Sequence, residues 1–129
     1  MPHISKRFLE KENFKNINIQ FYKVINNLVR SGKTKIFFDE ILTKTEKIML
    51  SKRLAVIIMV DQKESAYAIE KILKVSPSTV TRISYFHERG DYVDLIKEIK
   101  LQKSFWNQMS KIIPPRVGRN RFKNFLKFD

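Results

Sequence analysis

The chain has 129 residues, 43% of them hydrophobic, which suits one domain with a modest core and excludes global disorder. Its formal net charge is +13, from 26 basic and 13 acidic residues. That balance favours a polyanionic partner, nucleic acid ahead of an anionic membrane surface, although a merely Lys-rich solvated face would give the same number. With no cysteine, disulfides and thiolate metal sites are excluded.

Gly and Pro number only 3 and 4, and long stretches follow a 3.6-residue period, so an all-α fold of about six helices is expected. The first seven residues lack the apolar run of a signal peptide, and the most apolar segment, 54–60, is far too short to span a membrane. A soluble cytoplasmic protein without a membrane partner is therefore expected. Residues 5–13 are charged and weakly periodic. From Phe14 the apolar residues Ile17, Phe21, Val24, Ile25, Leu28 and Val29 predict a first helix, with Asn13 as a cap and Ser31-Gly32 as its stop. A short second helix is predicted over 34–41.

Thr43 and Glu46 have the spacing of a capping box and open a third helix. Its later half, from Leu54 to Val60, is apolar around most of the circumference, which implies burial on more than one side. In so small a chain, that pattern suggests a partner subunit covering one side. After the polar break 61–63, a fourth helix is predicted over 64–74, with Ala66, Ile69, Ile72 and Leu73 inward. Ser76 is then an N-cap and Pro77 a first helical residue, so a fifth helix starts abruptly and runs to 87–89, before Gly90. Val80 and Ile83 give it a narrow apolar seam. One last helix is predicted over 92–113, ended by Pro114-Pro115. Residues 1–113 thus read as the helical domain, and 114–129 as a basic, aromatic tail.

Residues 64–89 fit a helix-turn-helix template: Ile69, Leu73, Val75, Val80 and Ile83 stand where the two helices must cross. Glu70 and Lys74 depart from it, since a small residue and a glycine are usual there. Lys74 fits without strain only if the turn avoids a left-handed residue. Short hydroxyls at the start of a helix, with a free N-terminal dipole, suit DNA contact.

The run Ile41-Leu42-Thr43-Lys44-Thr45-Glu46, then Leu50-Ser51-Lys52-Arg53, then Val80-Thr81-Arg82 resembles the tryptophan-repressor family, most closely the repressor-like branch called YerC/YecD. The resemblance covers residues 21–92. It implies an intertwined, all-helical homodimer that reads double-stranded DNA through two helix-turn-helix units. Carried over by position, it marks Ser76, Pro77, Ser78, Thr79 and Thr81 as base-facing. Lys52, Arg53, Lys71, Lys74 and Arg82 become backbone clamps. Thr43, Arg53 and Arg82 match the polar residues of the effector pocket in tryptophan-sensing members. Ile83 and Phe86 replace a small residue and a Ser of that pattern, so the pocket is expected to be filled, and no tryptophan-like effector or other cofactor is expected.

The remaining signals are weaker. His3 and His87 have no second ligand at metal spacing and are expected in solvent. No catalytic pattern stands out, so an enzyme is not expected. Phe105 and Trp106 read as core or dimer contacts. In the tail, Arg116, Arg119 and Arg121 suit a minor-groove arm, whereas Phe122, Phe125 and Leu126 suit a docked amphipathic helix; a solvated end is the third option. A non-specific DNA- or RNA-binding module and a helical adaptor for other proteins stay open as alternative functions.

Overall fold

The computed structural model describes Arg7 and residues 9–112. Among these residues there are seven helices and no strand: α1 (Lys11–Arg30), α2 (Thr34–Ile41), α3 (Lys44–Asp61), α4 (Ala66–Leu73), α5 (Pro77–Glu88), α6 (Val93–Lys100) and α7 (Lys103–Ile112). The all-α expectation holds. The chain divides into two compact units, residues 1–51 and 52–129, with the division falling inside α3.

In the first unit, α1 begins at Lys11, with Glu10 as its N-cap and no side-chain capping bond, so Asn13 lies within the helix instead of capping it. Its end is as expected. Gly32 has φ +71, Gly32 N–H donates to the Val29 carbonyl at 3.1 Å, and Lys33 N–H donates to the Leu28 carbonyl at 2.8 Å. That pair of bonds is a Schellman cap, which needs a left-handed residue and therefore suits glycine. α1 packs against α2 through Phe21 and Phe37, whose ring centroids are 6.0 Å apart. The Thr43 box forms in both directions: Thr43 N–H donates to Glu46 Oε1 at 2.9 Å, and Glu46 N–H donates to Thr43 Oγ1 at 3.1 Å.

The second unit is built on the end of α3. Val56, Ile57, Ile58 and Met59 are consecutive, and all are at most 2% exposed. Four successive buried residues sweep about 300° around a helix, so this segment is enclosed by protein on nearly every side. Ile69 of α4, Val80 and Ile83 of α5, Ile99 of α6 and Met109 of α7 complete the cluster. The enclosure of this half of α3 is therefore achieved within one chain. The burial of Val56 to Met59 needs no partner, and the partner suggested for one side of this helix stays a proposal.

The predicted last helix is also corrected. It is two helices, broken at Leu101 and Gln102, which makes seven in place of six. No Gly or Pro sits at the break. Its cause is phase: in one continuous helix Phe105 and Met109 would point roughly 120° away from Tyr92, Ile96 and Ile99. The break lets both apolar faces join the same core. The predicted end at Ile113-Pro114-Pro115 and the whole tail lie outside the described residues, as do His3, Arg116, Arg119 and Arg121.

Candidate nucleic-acid interface

α4, the turn 74–76 and α5 form the helix-turn-helix, close to the expected 64–89. Each helix starts on a serine. Ser65 Oγ accepts from Ala68 N–H at 3.1 Å, a cap that places the start of α4 at Ala66, two residues later than periodicity suggested. Ser76 Oγ accepts from Thr79 N–H at 3.3 Å, and Pro77 occupies the first turn of α5, as expected. Neither first turn contains an acidic residue, so both helix N-termini keep their partial positive charge.

The turn itself departs from expectation. Lys74 adopts φ 56, ψ 51, the left-handed conformation that the sequence argued against. Its N–H donates to the Glu70 carbonyl at 3.0 Å, closing α4. A left-handed non-glycine residue costs about 1–2 kcal/mol, so something must hold it. One tie is visible: Lys52 Nζ donates to the Lys74 carbonyl at 3.2 Å, joining α3 to the turn. Lys63 at the end of α3 is the second left-handed lysine, with φ 60.

Val80 and Ile83 are buried and Thr79, Ser84, Phe86 and His87 half-buried, so α5 is pinned along one side while Ser78, Thr81, Arg82 and Tyr85 stay exposed. The base-facing candidates gather at its start. Ser76 Oγ lies 3.0 Å from Ser78 Oγ and 2.9 Å from Thr79 Oγ1, so three hydroxyls share one small network. Thr81 Oγ1 donates to the Pro77 carbonyl at 3.0 Å, which settles its hydroxyl hydrogen within the helix and turns its readout toward the methyl group. Ser76, Pro77, Ser78 and Thr81 are exposed and Thr79 is half-buried.

The cationic candidates divide by role. Lys71 Nζ lies 5.0 Å from the centroid of the Tyr67 ring, on the exposed side of α4. Arg82 is exposed on α5, Lys74 at the turn and Arg53 on α3, while Lys52 is half-buried with its ammonium on the Lys74 carbonyl. Of the three pocket-type residues, Thr43 belongs to the first unit, where its side chain serves the capping box; Arg53 and Arg82 belong to the second. Ile83 is 4% exposed within the apolar cluster.

Two features escaped the sequence. His87, expected in solvent, is half-buried, with Nε2 2.9 Å from Asp61 Oδ1, so it links the end of α5 to the end of α3. The outer face of α5 also continues past Arg82 to Tyr85 and Arg89. Residues 78, 82, 85 and 89 fall at i, i+4, i+7 and i+11, the same periodicity that found the seam, applied to the opposite face.

No curated protein and no solved structure gives a significant match to the chain. Residues 18–98 match the family described as Trp repressor protein, a family of helix-turn-helix DNA-binding regulators; the match spans both α3 and the helix-turn-helix. The chain belongs to the Trp repressor family.

Proposed function

We propose that this protein is a sequence-specific transcriptional regulator that binds double-stranded DNA as a homodimer and does not sense tryptophan. The observation that carries the reading is the geometry of α5. It is fixed inward by Val80 and Ile83, while its acid-free N-terminal turn presents Ser78, Thr79 and the Thr81 methyl on a chain of net charge +13. Two such helices in successive major grooves stand about 34 Å apart on one face of a duplex. Lys71, Lys74, Arg82 and Arg53 supply backbone contacts, to which the tail's Arg116, Arg119 and Arg121 add charge. Lys52 is proposed to reach phosphate from the turn it holds. Short hydroxyls give weak direct readout, so bound water and duplex shape share in recognition.

The dimer is supported by the first unit. Among the described residues of α1 none is buried, and Phe14, Ile17 and Tyr22 are each more than half exposed. A second copy is the natural cover for them. The absence of tryptophan sensing is supported by Ile83, buried where the resemblance calls for a small residue, and by Phe86, half-buried where it calls for a Ser. The YerC/YecD-like branch is the proposed assignment within the family, supported by the runs 41–46, 50–53 and 80–82. A cytoplasmic location follows from a DNA partner; among the described residues no helix is long and apolar enough to cross a membrane.

Selection from a random duplex library, followed by competition binding across a salt series, tests the proposal. A selected palindromic site, bound with a steep salt dependence and losing preference in the Ser78→Ala and Thr79→Val variants, is expected. Equal affinity for all duplexes overturns the sequence-specific reading. Tight tryptophan binding by calorimetry overturns the effector reading.

A further inference from the structure

The outer face of α5 does not end with the hydroxyl cluster. Tyr85 is 57% exposed and lies opposite the Val80–Ile83 seam. Its ring packs edge-on to Phe86, with centroids 5.6 Å apart. The Arg89 guanidinium carbon lies 5.5 Å from the Tyr85 centroid and 5.3 Å from the Phe86 centroid. Arg89 Nη2 is also 3.1 Å from Asp91 Oδ2, while the arginine side chain keeps half of its surface in solvent. A long, flexible cation at a helix end is thus held by two rings and a carboxylate. Holding it in place removes much of the rotamer entropy that a later contact would otherwise cost.

We infer that Arg89, positioned by Tyr85 and Phe86, is a phosphate contact at the rim of the DNA groove, so that α5 engages the duplex at both of its ends. The inference rests on the DNA-binding reading above. Arg89 lies 11 residues beyond Ser78, or about 16 Å along the helix axis. The major groove is about 12 Å wide and 8.5 Å deep. With Ser78 at the base edges, Arg89 falls outside the groove, where only sugar and phosphate are in reach. A guanidinium has five N–H donors, so its contact with Asp91 is compatible with a second anion. The target class is the DNA backbone, and the contact carries no base specificity. Tyr85 and Phe86 are positioning residues in this arrangement: both rings lie against the guanidinium.

The test is a salt series of equilibrium binding to one fixed duplex by the full chain and its Arg89→Gln and Arg89→Lys variants. Wild-type binding is expected to weaken steeply with salt. Arg89→Gln is expected to lower affinity several-fold on every duplex and to reduce the log–log salt slope by about 1. Arg89→Lys, which keeps the charge, is expected to retain the slope. An unchanged slope in Arg89→Gln overturns the inference and leaves the DNA-binding reading standing. Failure of the wild-type chain to bind any duplex overturns both. Should Arg89→Gln not fold, Tyr85→Ala gives a second measurement: removing one of the two rings that position the guanidinium is expected to weaken binding on every duplex while the salt slope is retained, and unchanged binding contradicts the contact.

Discussion

In the second unit, α3 contributes four consecutive side chains to an interior that α4, α5, α6 and α7 close around. In the first unit, α1 is the longest helix among the described residues and buries none of its residues; Phe37 of α2 is the one buried hydrophobic residue described there. The contrast separates two jobs. The unit that carries the helix-turn-helix has its own core, so α5 is held in place by its own chain. The unit before it has apolar residues without that enclosure, the surface that the proposed second copy would cover. A DNA reader of paired recognition helices needs both: a rigid head and a means of fixing the distance between two heads.

Substitutions in the two units are expected to have unlike consequences. The largest effect belongs to the enclosed core. Ile69→Ala or Ile58→Ala, each at a residue 1% exposed, is expected to destabilise by about 2–5 kcal/mol in denaturant unfolding. The double change Phe14→Ser, Ile17→Ser in α1 is expected to leave the helical content of the second unit intact while converting dimer to monomer, as measured by sedimentation. Loss of the second unit's structure in that variant would erase the distinction between the units.

Effects at the turn are smaller. Ser76→Ala removes the cap of α5 and is expected to cost about 1 kcal/mol. Lys74→Gly is expected to move the other way, stabilising by about 1 kcal/mol, because glycine adopts φ 56 without strain and the Lys52 bond goes to the backbone carbonyl at 74. A destabilised Lys74→Gly would contradict the left-handed turn.

The smallest effect lies on the surface of the first unit. Hydrogen bonds from Lys35 at 2.6 Å and Lys47 at 3.1 Å hold the Asp39 carboxyl below the usual carboxylate range, and Asp39 in turn holds Lys35 above the usual lysine range. For the carboxyl, the stabilisation is present above its unfolded value of about 4 and is lost as pH falls through the depressed folded value. For the lysine, it is present below the ordinary value and lost as pH rises through the raised one. Asp39→Asn is therefore expected to lower the melting temperature slightly at neutral pH and low salt. The difference should vanish in strong acid or high salt.

What was legible in the sequence was local. The Thr43–Glu46 box, the Ser76-Pro77 start and the Gly32 and Gly90 stops each depend on a few neighbouring residues, and each formed as read. What was not legible depended on residues far apart. The α6–α7 break follows from two apolar phases meeting one core, with no Gly or Pro to mark it. The tie from Lys52 to Lys74 spans 22 positions and the His87–Asp61 pair spans 26. The apolar run marks Val56 to Met59 as buried, but which helices enclose them depends on Ile69, Val80, Ile83, Ile99 and Met109, brought in from far along the chain. The Tyr85–Arg89 face has regular spacing in the sequence, but its ring-and-guanidinium contacts exist only once the helix end is folded.

The mass of the full chain in solution tests most directly the claim that the first unit is completed by a second copy. Light scattering at micromolar concentration is expected to give twice the 15.4 kDa of one chain. A mass of 15.4 kDa would contradict it, since a monomer would leave α1 uncovered and the two recognition helices without a fixed spacing.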